Sequence, residues 1–170
     1  KSNFENTDLR GANLTGANIS GATFTGAIYD TQTTWPTGFD PISAGAILNH
    51  YPYDLNSTAP LSISESQPIG TVVGSFHATD PDPHAVLTYH LVNGPAQNYN
   101  HLFTLDANGT LRTAASLDYE TAHLLVVRVR VKDQHNASSD GSFQVLVLED
   151  SSDDQPPSEP YQSPTGDYQS

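Results

Sequence analysis

The sequence predicts an all-β protein built in two parts. Three observations carry that expectation. Large apolar residues recur at every fifth position from Phe4 to Phe24. Apolar and polar residues alternate along short segments between residues 61 and 150. No segment keeps the period of about 3.6 that marks a helix.

The first part is the repeat. Phe4, Leu9, Leu14, Ile19 and Phe24 are its large positions, and Tyr29 is an imperfect sixth. Ala12, Ala17, Ala22 and Ala27 stand two places before the last four of these six, and Gly11, Gly16, Gly21 and Gly26 two places after Leu9, Leu14, Ile19 and Phe24. Asn3, Asp8, Asn13 and Asn18 stand directly before the first four. A period of five suits a coil whose every step makes one short side and turns a corner. One large residue per side points inward, a small Ala packs beside it, Gly permits the corner, and Asn or Asp caps it locally.

This pattern resembles the pentapeptide-repeat family, with its A-(N/D)-L-x-x unit, over residues 2 to about 31. The resemblance implies a right-handed quadrilateral β-helix with four repeats per coil. Tyr29-Asp30, Thr34-Trp35-Pro36 and Gly38-Phe39-Asp40-Pro41 look like a closing segment, with Trp35 and Phe39 plugging the open end. The expected boundaries are residues 1–41 for the coil with its closing segment and 42–59 for a linker. So short a solenoid buries little alone, since repeats are stabilised by stacking. Either Lys1 lies inside a longer natural solenoid, or the uncovered end stacks on another subunit and builds a homopolymer. The chain has no Met, even at position 1, so Lys1 is read as a processed terminus or an internal boundary.

The second part spans 60–150. Val72, Gly74 and Phe76 are expected on one face of a strand, and Leu87, Tyr89 and Leu91 on one face of another. Leu125, Val127, Val129 and Val131 form the longest inward set, with Arg128, Arg130 and Lys132 outward. Phe143, Val145 and Val147 repeat the pattern. Asp106-Ala107-Asn108-Gly109 is a hairpin turn between two short runs. Seven short strands in such a length suggest a Greek-key sandwich. Residues 151–170 are an acidic tail rich in Ser and Pro, a linker-like composition.

The chain of 170 residues holds 19 acids against 6 bases, a formal net charge of -13. Phosphate binding needs a positive footprint, so nucleic acid is excluded as a partner. No apolar run approaches the roughly 20 residues of a membrane-spanning helix, so membrane insertion is excluded as well. The absence of Cys removes disulfides and thiolate chemistry. The acids are not spread evenly. Glu65, Asp80-Pro81-Asp82, Asp118-Tyr119-Glu120, Asp133 and Glu149 to Asp154 all fall at expected strand ends or in loops. A sandwich would gather them at its poles. Calcium takes six to eight oxygen ligands, largely carboxylates on flexible loops. Acids packed so closely without a cation would repel one another.

The order of these clusters resembles the cadherin family. The matching segments are Ile63-Ser64-Glu65, Ala78-Thr79-Asp80-Pro81-Asp82, Leu117-Asp118-Tyr119-Glu120, Val131-Lys132-Asp133 and Asp150 to Asp154, across residues 60 to about 157. The resemblance implies calcium between successive domains. Glu65, Asp118, Glu120 and Asp153 match ligands of the C-terminal pole. Asp80, Asp82 and Asp133 match ligands facing the preceding domain. One departure is plain: the family's closing Asp-x-Asn-Asp-Asn reads Asp150-Ser151-Ser152-Asp153-Asp154, so Ser152 replaces an Asn ligand.

No catalytic frame is visible. The seven His form no zinc-type pair and read as surface or turn residues. There is no G-x-S-x-G elbow and no phosphate-binding Gly loop. The expected role is an extracellular or cell-surface structural and adhesion module, stiffened by calcium and bacterial in source, with a surface fibre as its assembled form. The alternative is a calcium-dependent carbohydrate- or protein-binding module of a larger secreted protein. Asn13-Leu14-Thr15, Asn18-Ile19-Ser20, Asn56-Ser57-Thr58, Asn108-Gly109-Thr110 and Asn136-Ala137-Ser138 match the tripeptide that accepts a glycan, a short and frequent pattern whose first two matches are more simply repeat positions.

Overall fold

The computed structural model describes residues 1–94 and 98–150. All its regular elements are strands apart from one short 3₁₀ turn at Asn100–Leu102; no α-helix occurs among the described residues. Asp153 and the acidic tail lie outside the described residues.

In the N-terminal region the five-residue period appears as a repeating corner. The amides of Thr7, Ala12, Ala17, Ala22 and Ala27 each donate to the carbonyl three residues back, at 2.9–3.1 Å. Asn3, Asp8, Asn13 and Asn18 brace these corners by accepting the amide two residues on. Parallel bridges join Asn3 to Thr23, Asp8 to Ile28 and Asn13 to Thr34. Four five-residue steps thus bring the chain back alongside itself. Strands β1 (Ile28–Tyr29) and β2 (Ile47–Leu48) continue the stacking in parallel.

The large positions point inward. Leu9 and Phe24 are buried, as are Ala27, Tyr29 and Ala46. Phe4 stacks on Phe24 with centroids 4.9 Å apart. Trp35 and Phe39 close over Phe24 at 5.6 and 5.0 Å, and Trp35 meets Tyr29 edge-on. Fully burying one such aromatic side chain is worth roughly 1.5–3 kcal/mol, so this cluster is the main anchor of a region with few strands.

The second region is two facing sheets. One has the order β4 (Leu61–Ser64), β10 (Ser138–Leu148), β9 (Leu124–Lys132), β6 (Thr88–Leu91). The other has β3 (Tyr53–Ser57), β5 (Val72–Thr79), β8 (Thr110–Thr113), β7 (Phe103–Leu105). All pairings are antiparallel except β4 with β10. The core between them holds Leu125, Val127, Val129 and Val131 of β9, Val145 and Val147 of β10, with Leu111, Phe76 and Tyr89. The expected alternation of β9 and β10 is present.

Two features differ from the expectation. Strand β3 is an eighth strand, from the stretch read as a linker. In β5, Val73 is buried while Val72 is half exposed. A register shift between Val72 and Gly74 turns the strand there, so Val72 does not share the face of Phe76. An irregularity of this kind adds a residue and reverses the alternation. At the β7–β8 hairpin, Gly109 has φ +93 and a Cβ would lie 2.8 Å from the carbonyl of Phe76. Only glycine satisfies both conditions.

Candidate metal centre

Strand β9 fixes both ends of the sandwich. It starts just after Asp118 and Glu120 and stops one residue before Asp133. Six of the seven expected ligands fall into two groups at these opposite ends. Glu65, Asp118 and Glu120 form one; Asp80, Asp82 and Asp133 form the other. Within each group one carboxylate oxygen from every residue lies within 4.8 Å of the others. Asp153, expected with the first group, lies outside the described residues.

At the first pole, Glu65 is only 8% exposed. It follows β4 directly, so its position is set by the parallel pairing with β10. Its Oε2 accepts the Tyr119 amide at 2.7 Å, and its Oε1 accepts the Asp150 amide at 2.8 Å. It therefore ties three chain segments together. Asp118 is exposed and accepts the Thr121 hydroxyl (2.8 Å) and amide (3.0 Å). These bonds, the hydroxyl first, hold its carboxyl below the ordinary value. Glu120 is pulled down by its own backbone amide, but desolvation and repulsion from Glu65 and Asp118 outweigh that and leave it raised. The pole thus carries crowded negative charge facing solvent.

The second pole is covered. Asp133 is 5% exposed. Its Oδ1 accepts the amides of His135 and Ala137, both at 2.8 Å, which shapes the tight turn into β10. Its Oδ2 accepts from Asn49 Nδ2 at 2.9 Å. Asp82 accepts the His50 amide at 2.8 Å, and the His50 ring Nδ1 lies 2.5 Å from its other oxygen. Asp80 follows β5 and accepts the Asp82 amide at 2.9 Å. Its second oxygen is buried with no hydrogen-bond partner. Burial raises the Asp80 carboxyl, the Asp82 amide opposes this, and repulsion from Asp82 and Asp133 adds to the rise.

The donor set fits calcium. It is all oxygen, rich in carboxylates, and placed on turns rather than rigid strand interiors. A buried carboxylate oxygen without a donor is the feature a hard cation would satisfy.

Sequence reasoning missed Asn49 and His50. They precede the sandwich, sit in the stretch read as a linker, and belong to no ligand spacing. Their partners are 84 and 32 residues away in the chain. His50 was expected among surface or turn histidines; it is half-buried against Asp82.

A cadherin-domain model matches residues 59–148, more than half of the chain, and a pentapeptide-repeat model matches residues 1–28. The chain belongs to the cadherin domain family. The fusion of that domain to pentapeptide repeats, read above from residue patterns, is borne out. Human Cadherin EGF LAG seven-pass G-type receptor 1 is 35% identical over 101 residues, covering 53% of this chain and 3% of the receptor. Human Protocadherin gamma-A5 is 32% identical over 118 residues, covering 62% of this chain and 13% of that protein. The chain thus spans a small fraction of these cadherin relatives. Among solved structures, the extracellular cadherin domains 1-4 of Protocadherin Gamma B7 align at 26% identity with a TM-score of 0.49, over 63% of this chain and 27% of that one. The third cadherin domain of human protocadherin 7 aligns at 18% identity with the same TM-score, over 63% and 92%.

Proposed function

We propose that the chain is a structural and adhesion module of the cell exterior, stiffened by calcium at the poles of its sandwich. The observation that carries this is the pair of carboxylate triads at opposite ends of β9, each with ligand atoms within 4.8 Å. Glu65, Asp118 and Glu120 would hold one ion, with Asp153 completing the group; Asp80, Asp82 and Asp133 would hold the other. Bound calcium would supply charge neutralisation and a rigid cross-link between loops. The chain's own part is to position the loops: Glu65 through two backbone amides, Asp133 through the turn at His135 and Ala137. No catalytic step belongs to this reading.

Several further points are part of the same proposal. The parallel bridges spaced by four repeats support a right-handed quadrilateral β-helix in the N-terminal region. The expected division is a coil at 1–41, a linker at 42–59, a sandwich at 60–150 and a tail at 151–170. Strands β2 and β3 argue for sharing 42–59 between the coil and the sandwich. Exposed apolar positions such as Ile42 and Ile47 on the coil side are contact points for self-association into a surface fibre. The pairing of repeats with a cadherin domain is the ground for a bacterial surface. Extracellular placement agrees with the cadherin relatives, and no helix among the described residues is long and apolar enough to cross a membrane.

A second reading, a calcium-dependent carbohydrate- or protein-binding module, has one observation in its favour. A cavity of about 240 Å³ opens beside Asp118, lined by Tyr99, His101, Leu102, Leu117 and Leu125. Such a mixed aromatic lining next to an ion site suits a sugar face or an apolar side chain.

Calorimetric titration tests the calcium reading. Binding with two or more ions per chain, and a melting temperature higher in calcium than in chelator, is expected. No binding at millimolar calcium with an unchanged melting temperature would reject it. Sedimentation across a wide concentration range tests the fibre; a monomer throughout rules that part out.

A further inference from the structure

We propose that the cavity beside Asp118 is the docking site for Tyr161 of the chain's own C-terminal tail. The ring of that residue fills the cavity within one molecule. This takes up the cavity of the second reading above, gives it an occupant, and needs no calcium.

The size and lining of the cavity decide the kind of occupant. Its volume is about 240 Å³. An apolar cavity of about 150 Å³ holds a benzene ring, while sites for drug-sized ligands begin near 300 Å³. One phenol ring therefore fits and an oligosaccharide does not. Leu102, Leu117 and Leu125 make the lining apolar, and the last two belong to the sandwich core. Tyr99 offers an aromatic contact, and Ser116 and Thr121 bring hydroxyls. An apolar site with a few polar groups suits tyrosine, whose ring is apolar and whose hydroxyl needs a partner.

The course of the chain decides which tyrosine. Strand β10 ends beside the segment 116–122 that walls the cavity. The Val147 amide donates to the His123 carbonyl at 2.9 Å. The Asp150 amide donates to Glu65, whose other oxygen accepts the Tyr119 amide. The tail thus leaves the sandwich tied to the cavity wall at two points. Residues 151–170 lie outside the described residues. Their sequence holds no Phe, Trp, Leu, Ile or Val, and Tyr161 and Tyr168 are their only aromatic residues. Tyr161 stands 11 residues beyond Asp150, a reach of at most about 36–40 Å. Tyr168 would close a longer loop at a higher entropic cost. Pro156, Pro157 and Pro160 precede Tyr161, and their fixed φ reduces the freedom lost on docking.

Leucine-methyl NMR of the full chain tests this, in chelator so that calcium plays no part. Tyr161→Ala should move the methyl resonances of Leu102, Leu117 and Leu125, because a docked ring shields the groups it faces. Tyr168→Ala should leave them in place, and dilution should not change the wild-type resonances. The phenol p-cresol is the probe for the vacated cavity. A tail docked in nine molecules of ten makes wild type bind it about tenfold more weakly than Tyr161→Ala, and a ratio of that order is expected. Unmoved methyls with equal p-cresol affinity in the two chains would overturn the proposal and leave the cavity to an external ligand. Shifts that follow Tyr168→Ala instead would overturn it, as would wild-type shifts that vanish on dilution, which mark a tail from a second copy. No p-cresol binding to either chain, with unmoved methyls, denies the cavity an aromatic occupant altogether. A methyl response to glucose would then keep the sugar part of the second reading.

Discussion

Asp30 in the coil and Asp80 at the sandwich pole are both screened from water, yet their ionisation moves in opposite directions. Asp30 is 5% exposed. Its Oδ1 accepts the amides of Gly11, Gln32 and Thr33 and the Thr33 hydroxyl, at 2.9–3.1 Å. Burial alone would raise the carboxyl; these donors outweigh it and hold it below 3.8. Asp80 has an amide on one oxygen and nothing on the other. Burial there outweighs the single amide, and the carboxyl rises. Burial of an acid therefore does not mark a ligand. What sets Asp80 apart from Asp30 is the oxygen left over once the protein's own donors have been counted.

The largest effect that tests this contrast is at the saturated acid. Asp30→Ala strands the Gly11 and Gln32 amides and leaves the Thr33 amide only the residue-30 carbonyl, and a loss of about 2–4 kcal/mol is expected. Chemical denaturation in chelator and in calcium should give the same loss. If calcium restored the stability, Asp30 would be acting as a ligand and the contrast would fail.

At the open acid the sign reverses. Asp80→Asn should stabilise the calcium-free protein near neutral pH, by up to about 1 kcal/mol, because it removes an uncompensated charge. In calcium the same variant should melt below wild type, having lost a ligand. A loss in both conditions would mean that the Asp80 charge is needed by the fold alone.

The pH dependence follows from the same two shifts. The folded carboxyl of Asp30 lies below its ordinary value of 3.8. Its contribution is complete above that value and is lost as the pH falls through the lower, folded one. The folded carboxyl of Asp80 lies above 3.8. Its ionisation costs stability above the folded value, and that cost disappears as the pH falls to 3.8. In chelator, the advantage of Asp80→Asn over wild type should therefore close on acidification through this window. An Asp30→Asn variant should differ from wild type most at neutral pH and converge with it only as the pH falls from 3.8 through the lower, folded value. Melting curves at a series of pH values check both.

Much of this arrangement was legible in the chain. The five-residue period specified the inward set of the N-terminal region, because a fixed step repeats the same corner: Leu9 and Phe24 are buried and Phe4, Leu14 and Ile19 pack against them. The alternation of β9 and β10 specified the sandwich core, since strand period is fixed by the pleat. The Asp-x-Asp and Asp-x-Glu spacings marked both poles. What was not legible depended on contacts distant in sequence or on local irregularity. The shift at Val72 to Gly74 leaves no compositional trace. Strand β3 has weak alternation and takes its place from pairing with β5. Asn49 and His50 look like any polar pair before Tyr51-Pro52. Only the docking of the coil against Asp82 and Asp133 gives them a role.

The smallest stability effect is expected at the exposed pole, where it is the most informative about ligand role. Glu120 is exposed. Its carboxyl is raised because repulsion from Glu65 and Asp118, with desolvation, exceeds the pull of its own amide. Removing its charge relieves that repulsion. Glu120→Gln should leave the melting temperature in chelator unchanged or slightly higher, and it should weaken calcium binding at this pole. Glu65 gives the contrast within the same triad. Glu65→Gln would disturb the amides of Tyr119 and Asp150 and should lower stability with or without calcium. A Glu120→Gln variant that melted as low as Glu65→Gln in chelator would show a structural acid where the geometry reads a ligand.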